Sequence, residues 1–258
     1  MTKKISRKTF IHTTALATAG VMISSPVYAS NTINTKVRAV AFDAFSIFDP
    51  RPIFKAVNEL VPDFGKQLVD LWQSKQFTYQ WLRLSGNRYK NFGDISKDAL
   101  DFALKQYGLS LTSTKKDFIM ANYKTMSAWP DVLPVLEAIK KEGLTICLLS
   151  NMTAKMLHQG VQNSGLNNFF DFLISTDEQQ TYKPSTNAYQ MAVKKLSLKK
   201  EEILFVPFAG WDMAGAKWFG YPTFWVNRLK SPIENLDAEP DGIGTTMDEL
   251  VKFIRGFK

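Results

Sequence analysis

The sequence predicts an α/β fold: a parallel sheet with helices on both faces, entered by one strand and then interrupted by a helical insert. Three observations predict it. Beyond Pro130, short apolar runs alternate with helical stretches of about ten residues, the pattern of repeated strand–helix–strand units. Between Pro50 and Pro130 apolar residues recur at helical spacing and no strand pattern stands out. Polar residues end several of the apolar runs (Asp43, Ser150-Asn151, Trp211-Asp212), and open parallel sheets carry their sites at those carboxyl ends.

Residues 1–29 differ from the rest. Lys3, Lys4, Arg7 and Lys8 precede a mild apolar stretch, Phe10–Ile23, and the segment closes on Val27-Tyr28-Ala29, a small-x-small cleavage pattern. With no acidic residue and no polar helical face, it reads as a signal peptide cut near Ala29 rather than as an amphipathic first helix. The apolar run is short for a membrane anchor. Ser6-Arg7-Lys8-Thr9-Phe10 resembles a twin-arginine signal with lysine at the second position, so the Sec and twin-arginine-like routes both stay open. The expected location is periplasmic, with no membrane attachment after cleavage.

Val37–Phe42 is the first strand and ends at Asp43. In the insert, Ile53-Phe54, Val57 and Leu60-Val61 repeat at helical spacing. Ser96 is placed to cap a helix that stops near Gly108, and Thr114–Asp117 reads as a capping box ahead of Phe118. After Trp129-Pro130-Asp131, a helix Val132–Lys141 stops at Gly143 and a strand Leu144–Leu149 follows. Further strands are expected at Phe172–Ile174, Ile203–Val206 and Thr223–Val226, with helices running to about Gly165, over Ala188–Leu196 and over Met213–Phe219. The expected organisation is a core from residues 36–49 and 130–255 with a helical cap from residues 50–129.

The formal charge is +8, and residues 1–29 contribute four cations and no acids, so the remainder carries 8 − 4 = +4. Its lysines often neighbour acids, as in Lys199-Lys200-Glu201-Glu202, and no arginine–aromatic stripe suggests nucleic-acid binding. Cys147 is the only cysteine, which excludes an internal disulfide, and its apolar surroundings predict a buried, inert thiol. Beyond residue 29 the only histidine is His158, expected on the surface. Serine–histidine and cysteine–histidine catalysis and ordinary zinc sites therefore lack parts. The chemistry is left to carboxylates, hydroxyls, lysine and arginine.

Five segments together carry a resemblance. They are Phe42-Asp43-Ala44-Phe45 with Phe48-Asp49; Tyr79-Gln80-Trp81-Leu82-Arg83; Leu149-Ser150-Asn151; Tyr182-Lys183-Pro184 with Tyr189; and Gly210-Trp211-Asp212-Met213-Ala214-Gly215-Ala216. In this order and spacing they resemble the L-2-haloacid dehalogenase (type II) branch of the haloacid dehalogenase superfamily, over essentially all of residues 36–255. The resemblance implies a Rossmann-like core with an inserted helical cap, and hydrolysis of short (S)-2-haloalkanoic acids without metal or cofactor. A homodimer is the implied assembly.

The resemblance also implies roles. Asp43 is the nucleophile that displaces halide and becomes an ester, Lys183 supports its charged form, and Asp212 activates the water that hydrolyses the ester. Arg83 attracts the departing halide, while Ser150, Asn151 and the backbone at Ala44 and Phe45 hold the substrate carboxylate. Phe208 offers an aromatic wall to the halide. Ser46, Tyr189 and Trp211 are supporting residues, with Trp81 and Trp211 read as packing. No metal ligands are expected: superfamily phosphatases carry a second acid two residues after the nucleophile, where this chain has Phe45.

The chain departs from the family pattern in two places. Ser46-Ile47 stand where glycine and threonine are usual, so the hydroxyl four positions after Asp43 is absent and Ser46 is the nearest substitute. Pro207-Phe208-Ala209 replace a run of serine, asparagine and alanine ahead of the fourth motif. Two other readings therefore stay open: an exported hydrolase of the same superfamily with another substrate, and a small-carboxylate binding protein that no longer turns over.

Overall fold

The computed structural model describes residues 36–256; the signal-peptide reading of residues 1–29 lies outside them. The first strand, β1 (Ala39–Phe42), is followed by a single helical turn, α1 (Ala44–Ile47). Four helices make the insert: α2 (Arg51–Leu60), α3 (Gly65–Ser85), α4 (Phe92–Gln106) and α5 (Ser113–Ala121). Then come α6 (Val132–Lys141), β2 (Thr145–Ser150), α7 (Ala154–Asn163), β3 (Phe172–Ser175), α8 (Thr186–Leu196), β4 (Ile203–Val206) and α9 (Gly210–Phe219). The chain finishes with β5 (Phe224–Val226), β6 (Gly242–Gly244) and α10 (Asp248–Gly256).

The sheet is parallel, in the order β3-β2-β1-β4. Its strands are apolar on both faces because both faces are covered. Val40, Phe42, Ile146, Leu148, Leu204 and Val206 enter one core, shared with α6, α7, α10 and the insert helices. Ala39, Ala41, Cys147, Leu149, Ile203 and Phe205 enter the other, against Tyr189, Ala192, Ala216 and Tyr221 of the α8–α9 side. The strict alternation of odd and even positions is the period of two expected of a strand. Cys147 is buried there, and burial pushes its thiol up to about 12. His158 is exposed, as the sequence suggested.

Local chemistry corrects some boundaries. The cap of α4 is Asn91, whose side chain accepts from the Asp94 N–H at 3.0 Å. Ser96 instead lies inside the helix, where its hydroxyl bonds back to the Phe92 carbonyl at 2.8 Å. Thr112, two residues ahead of the expected capping box, caps α5 by accepting from the Lys115 N–H. The expected last strand touches β4 through one bridge, Phe205 to Thr223, and pairs along its length with β6. β6 is a three-residue element with two glycines, and its sequence gives little strand signal.

Candidate active site

Asp43 closes β1 and opens α1. Its backbone N–H continues the β1–β4 pairing onto the Val206 carbonyl at 3.0 Å, and its Oδ2 accepts the Phe45 N–H at 3.0 Å as the N-cap of α1. One carboxyl oxygen is thus fixed by backbone, and the side chain is turned into a cavity with only 8% of the residue exposed.

Lys183 meets it. The Lys183 Nζ donates to Asp43 Oδ1 at 2.8 Å and to Asp212 Oδ2 at 2.6 Å, and the lysine is 1% exposed. A single buried ammonium therefore bridges two buried carboxylates. Burial works to lower the Lys183 pKa, but Asp212 and Asp43 more than offset it, and the net direction is up. Burial raises the Asp212 carboxyl to about 6, against the opposing pull of Lys183, and Asp43 adds to the rise. Tyr189 donates its hydroxyl to Asp212 Oδ1 at 2.7 Å, and Tyr221 donates in turn to the Tyr189 carbonyl at 2.7 Å. Gly215 permits this approach: a Cβ there would lie 2.6 Å from the Tyr189 hydroxyl and 2.5 Å from Pro184 Cβ.

Asn151 is committed to Lys183. Its Oδ1 accepts the Lys183 N–H at 2.8 Å and the Thr176 hydroxyl at 3.2 Å, while Nδ2 donates to Gln80 Oε1 at 3.0 Å and the Lys183 carbonyl at 3.4 Å. Its amide lines the cavity with its hydrogen-bonding groups already engaged, so it holds the lysine in place rather than standing open to a substrate carboxylate. Ser150 differs: its Oγ accepts the Met152 N–H at 3.2 Å, and its own hydrogen is spent on no acceptor among the described residues.

The cavity has a volume of about 480 Å³. Asp43, Phe45, Ser150, Asn151, Lys183, Phe208, Trp211 and Asp212 all line it. Phe45 and Phe208 face one another with ring centroids 6.2 Å apart, and Trp211 packs edge-on to Phe77 and Trp81 of α3. Ala44 is fully buried and does not line the cavity.

Two of the expected site residues, Arg83 and Ser46, do not line the cavity. Arg83 pairs with Asp98 of α4 and bonds the Arg88 carbonyl, both at 3.3 Å. It shares the face of Gln76 but lies seven residues further along α3, about 10 Å at 1.5 Å per residue, beyond the cavity's end. Ser46 donates its backbone N–H to the Asp43 carbonyl at 3.1 Å, but its hydroxyl does not bond the Asp43 carboxylate. Its hydroxyl donates to the Val206 carbonyl at 2.9 Å, the same acceptor that holds the Asp43 backbone, so it steadies the loop and not the carboxylate. Ile47 is fully buried in the core, away from the cavity lining.

Sequence reasoning missed the residues that form the insert's wall: Ile53 and Phe54 of α2, Val69, Gln73, Gln76 and Phe77 of α3, then Phe92, Tyr123 and Trp129. One signal was present. Gln76 and Gln80 fall in the buried stripe of α3 and are 4% and 0% exposed, and polar residues in such a stripe need buried partners. Gln76 finds Ser96 and the Tyr123 hydroxyl, the latter at 3.2 Å; Gln80 finds Asn151.

Known proteins match this arrangement along most of the chain. The family of haloacid dehalogenase-like hydrolases matches residues 11–220. An (S)-2-haloacid dehalogenase from Pseudomonas sp. (strain YL) is 34% identical over 217 residues, 84% of this chain and 94% of its own. A crystal structure of an L-2-haloacid dehalogenase superposes with a TM-score of 0.83 at 36% identity, covering 86% of this chain and all of that one. Another, from Xanthobacter autotrophicus with chloropropionic acid covalently bound, gives 0.77 at 28% identity, again covering 86% and 100%. With its parallel sheet, its helical insert and an acid at the end of the first strand, this chain belongs to the haloacid dehalogenase-like hydrolases, in the L-2-haloacid dehalogenase branch.

Proposed function

We propose that this protein hydrolyses the carbon–halogen bond of (S)-2-haloalkanoic acids through an ester on Asp43. The observation that carries the reading is the buried Asp43–Lys183–Asp212 bridge at the carboxyl end of the sheet, facing a largely apolar cavity. A carboxylate is a weak nucleophile in water; one held by a backbone N–H and an ammonium in a water-poor cleft is positioned for displacement.

In the first step an Asp43 oxygen attacks C2 from the side opposite the halogen. The C–O bond forms as the carbon–halogen bond breaks, and halide leaves with the bonding pair. The Ser150 hydroxyl holds the substrate carboxylate, and the Phe45–Phe208 wall offers ring edges to the halide. In the second step water adds to the Asp43 carbonyl carbon while Asp212 takes its proton, the role its raised pKa suits. Collapse breaks the ester C–O bond, the leaving oxygen takes the proton back from Asp212, and the 2-hydroxy acid departs with Asp43 and Asp212 restored. Inversion happens at C2 in the first step alone, so an (S)-haloacid gives the (R)-hydroxy acid.

A single turnover of (S)-2-chloropropionate in ¹⁸O-labelled water tests this. The label should enter the Asp43 carboxyl and be absent from the lactate, and Asp43→Asn should lower halide release by about 10³-fold or more. Label in lactate after one turnover would mean that water attacks C2 directly, and the ester route would be wrong. The basic, cleavable character of residues 1–29 supports export as part of the same reading; N-terminal sequencing of the mature protein, expected to begin after Ala29, checks it. The assembly expected from the family resemblance is a homodimer.

A further inference from the structure

The cavity is larger than a three-carbon acid needs. A 2-halopropionate has six non-hydrogen atoms, which at about 30 Å³ each, the share of a water-sized group, fill roughly 180 Å³. The cavity measures about 480 Å³, within the range that holds drug-sized ligands. On the insert side Phe54, Val69, Phe92, Tyr123 and Trp129 line it, an apolar and aromatic wall.

Charge narrows the ligand further. Among the described residues lining the cavity, the cations are Lys183 and Arg51. Lys183 is engaged by both carboxylates, and Arg51 is bound to Asp49 at 2.6 Å with its guanidinium 4.5 Å over the Trp129 ring. Asp70 and Glu234 also line the cavity, and neither would welcome a second anion. Of the polar groups on the insert side, Gln76 and Tyr123 bond to each other, Asp70 pairs with Lys66, and Gln73 brings an uncharged amide. A neutral, apolar group is what such a lobe accepts; an ionised one would lose hydration without gaining a partner.

We propose that the insert side of this cavity is a specificity lobe for a long or aromatic substituent at C2, so that the preferred substrates are arylalkyl or medium-chain 2-haloacids. The proposal rests on the dehalogenase reading for its reaction and on the cavity alone for its substrate class. In it, the carboxylate and C2 lie by Ser150 and Asp43, while the substituent extends along the α3 face of Val69 and Gln73 toward Phe92.

Two measurements on the full-length protein separate the claims. Halide release is compared for (S)-2-bromo-4-phenylbutanoate, (S)-2-bromopropionate and (S)-2-bromosuccinate, and calorimetry compares binding of (R)-2-hydroxy-4-phenylbutanoate and (R)-lactate. The phenylbutanoate should show at least a tenfold higher kcat/KM than the propionate, with the succinate slowest, and its hydroxy acid should bind at least tenfold more tightly than lactate. Val69→Phe, which puts a ring into the lobe, should cut the phenylbutanoate-to-propionate ratio at least fivefold. Equal or inverted ratios, in turnover or in binding, overturn the lobe while leaving the dehalogenase reading intact. Tighter binding of the phenyl acid with no halide from any substrate would sustain the lobe and remove the reaction.

Discussion

Replacing Lys183 by methionine takes the cation from between two carboxylates and keeps much of the side-chain volume. The lysine is 1% exposed, and the Asp43 and Asp212 side chains are 11% and 2% exposed. Removing one partner of a buried ionic cluster typically costs 3–5 kcal/mol because the remaining charge is left uncompensated. About 4 kcal/mol corresponds, for a chain of this size, to a fall in Tm of roughly 8–16 °C at about pH 8. The loss should depend on pH with a definite sign. Without the ammonium, burial and the neighbouring Asp43 both push Asp212 further above its present value of about 6. A folded carboxyl whose pKa exceeds its unfolded value contributes stability that is present below the unfolded value, about 4, and that declines as pH rises toward the folded one. The native protein completes this decline near pH 6, whereas the variant continues to lose about 1.4 kcal/mol per pH unit until its higher pKa is passed. Thermal melts followed by circular dichroism at about pH 5 and about pH 8 should therefore show a small gap between the two proteins at the lower pH and a wide gap at the higher. A gap that is equal at both, or wider under acid, would mean that Lys183 is not neutralising buried carboxylates and would refute the assigned electrostatics.

Hydrolysis of the Asp43 ester, measured by single-turnover quench, should rise with pH through about 6 as Asp212 loses its proton. Tyr189→Phe removes a hydrogen bond that favours the ionised Asp212, so this limb should move upward by a few tenths to one pH unit. Arg83→Ala should change kcat/KM for (S)-2-chloropropionate less than about threefold, because a half-exposed pair with Asp98 contributes at most about 1 kcal/mol and lies beyond the cavity. Gly215→Ala forces a methyl against the Tyr189 hydroxyl and Pro184, and should cost about 1–3 kcal/mol in urea denaturation while slowing ester hydrolysis.

The alternation of strands and helices was legible because each apolar run is short, α6, α7 and α9 stop at or just before Gly143, Gly165 and Gly220, and the sheet is buried on both faces. The α6 helix has the expected limits, and β4 matches residue for residue. Asp43 and Asp212 were legible as polar points following apolar runs and Lys183 through the family resemblance, and the structure brings both acids within hydrogen-bond reach of the lysine. What failed was axial position along a helix. Arg83 and Gln76 share a face of α3, so periodicity cannot separate them, yet the seven-residue offset takes one of them out of the cavity. Asn151 failed for a different reason. An asparagine beside a site reads as a ligand, and only the partners supplied by Gln80, Thr176 and Lys183 show that its amide is already used. β6 was missed because Gly242 and Gly244 lack the side chains that signal a strand; each sits close against an aromatic ring or an acid stem, where a Cβ would clash.

The topology explains why the bridging cation is a long side chain. The strand order is β3-β2-β1-β4, and the two carboxylates follow the neighbouring strands β1 and β4. Lys183 arrives on the segment after β3, two strands from β1, a span of roughly 9–10 Å at 4.7–4.9 Å per strand. A short side chain launched from there would end over β2. Asn151, at the end of β2, receives the Lys183 backbone N–H and donates to its carbonyl, so the intervening strand fixes the base from which the side chain crosses. The far ends are fixed as firmly: Val206, the last residue of β4, accepts the Asp43 N–H, and Tyr189, packed on the same face as α9, donates to Asp212. A flexible lysine anchored at both ends behaves as a rigid spacer between two acids. In the proposed reaction that constraint holds Asp43 toward the cavity, while burial raises the more deeply buried Asp212 to about 6, a value suited to receiving a proton.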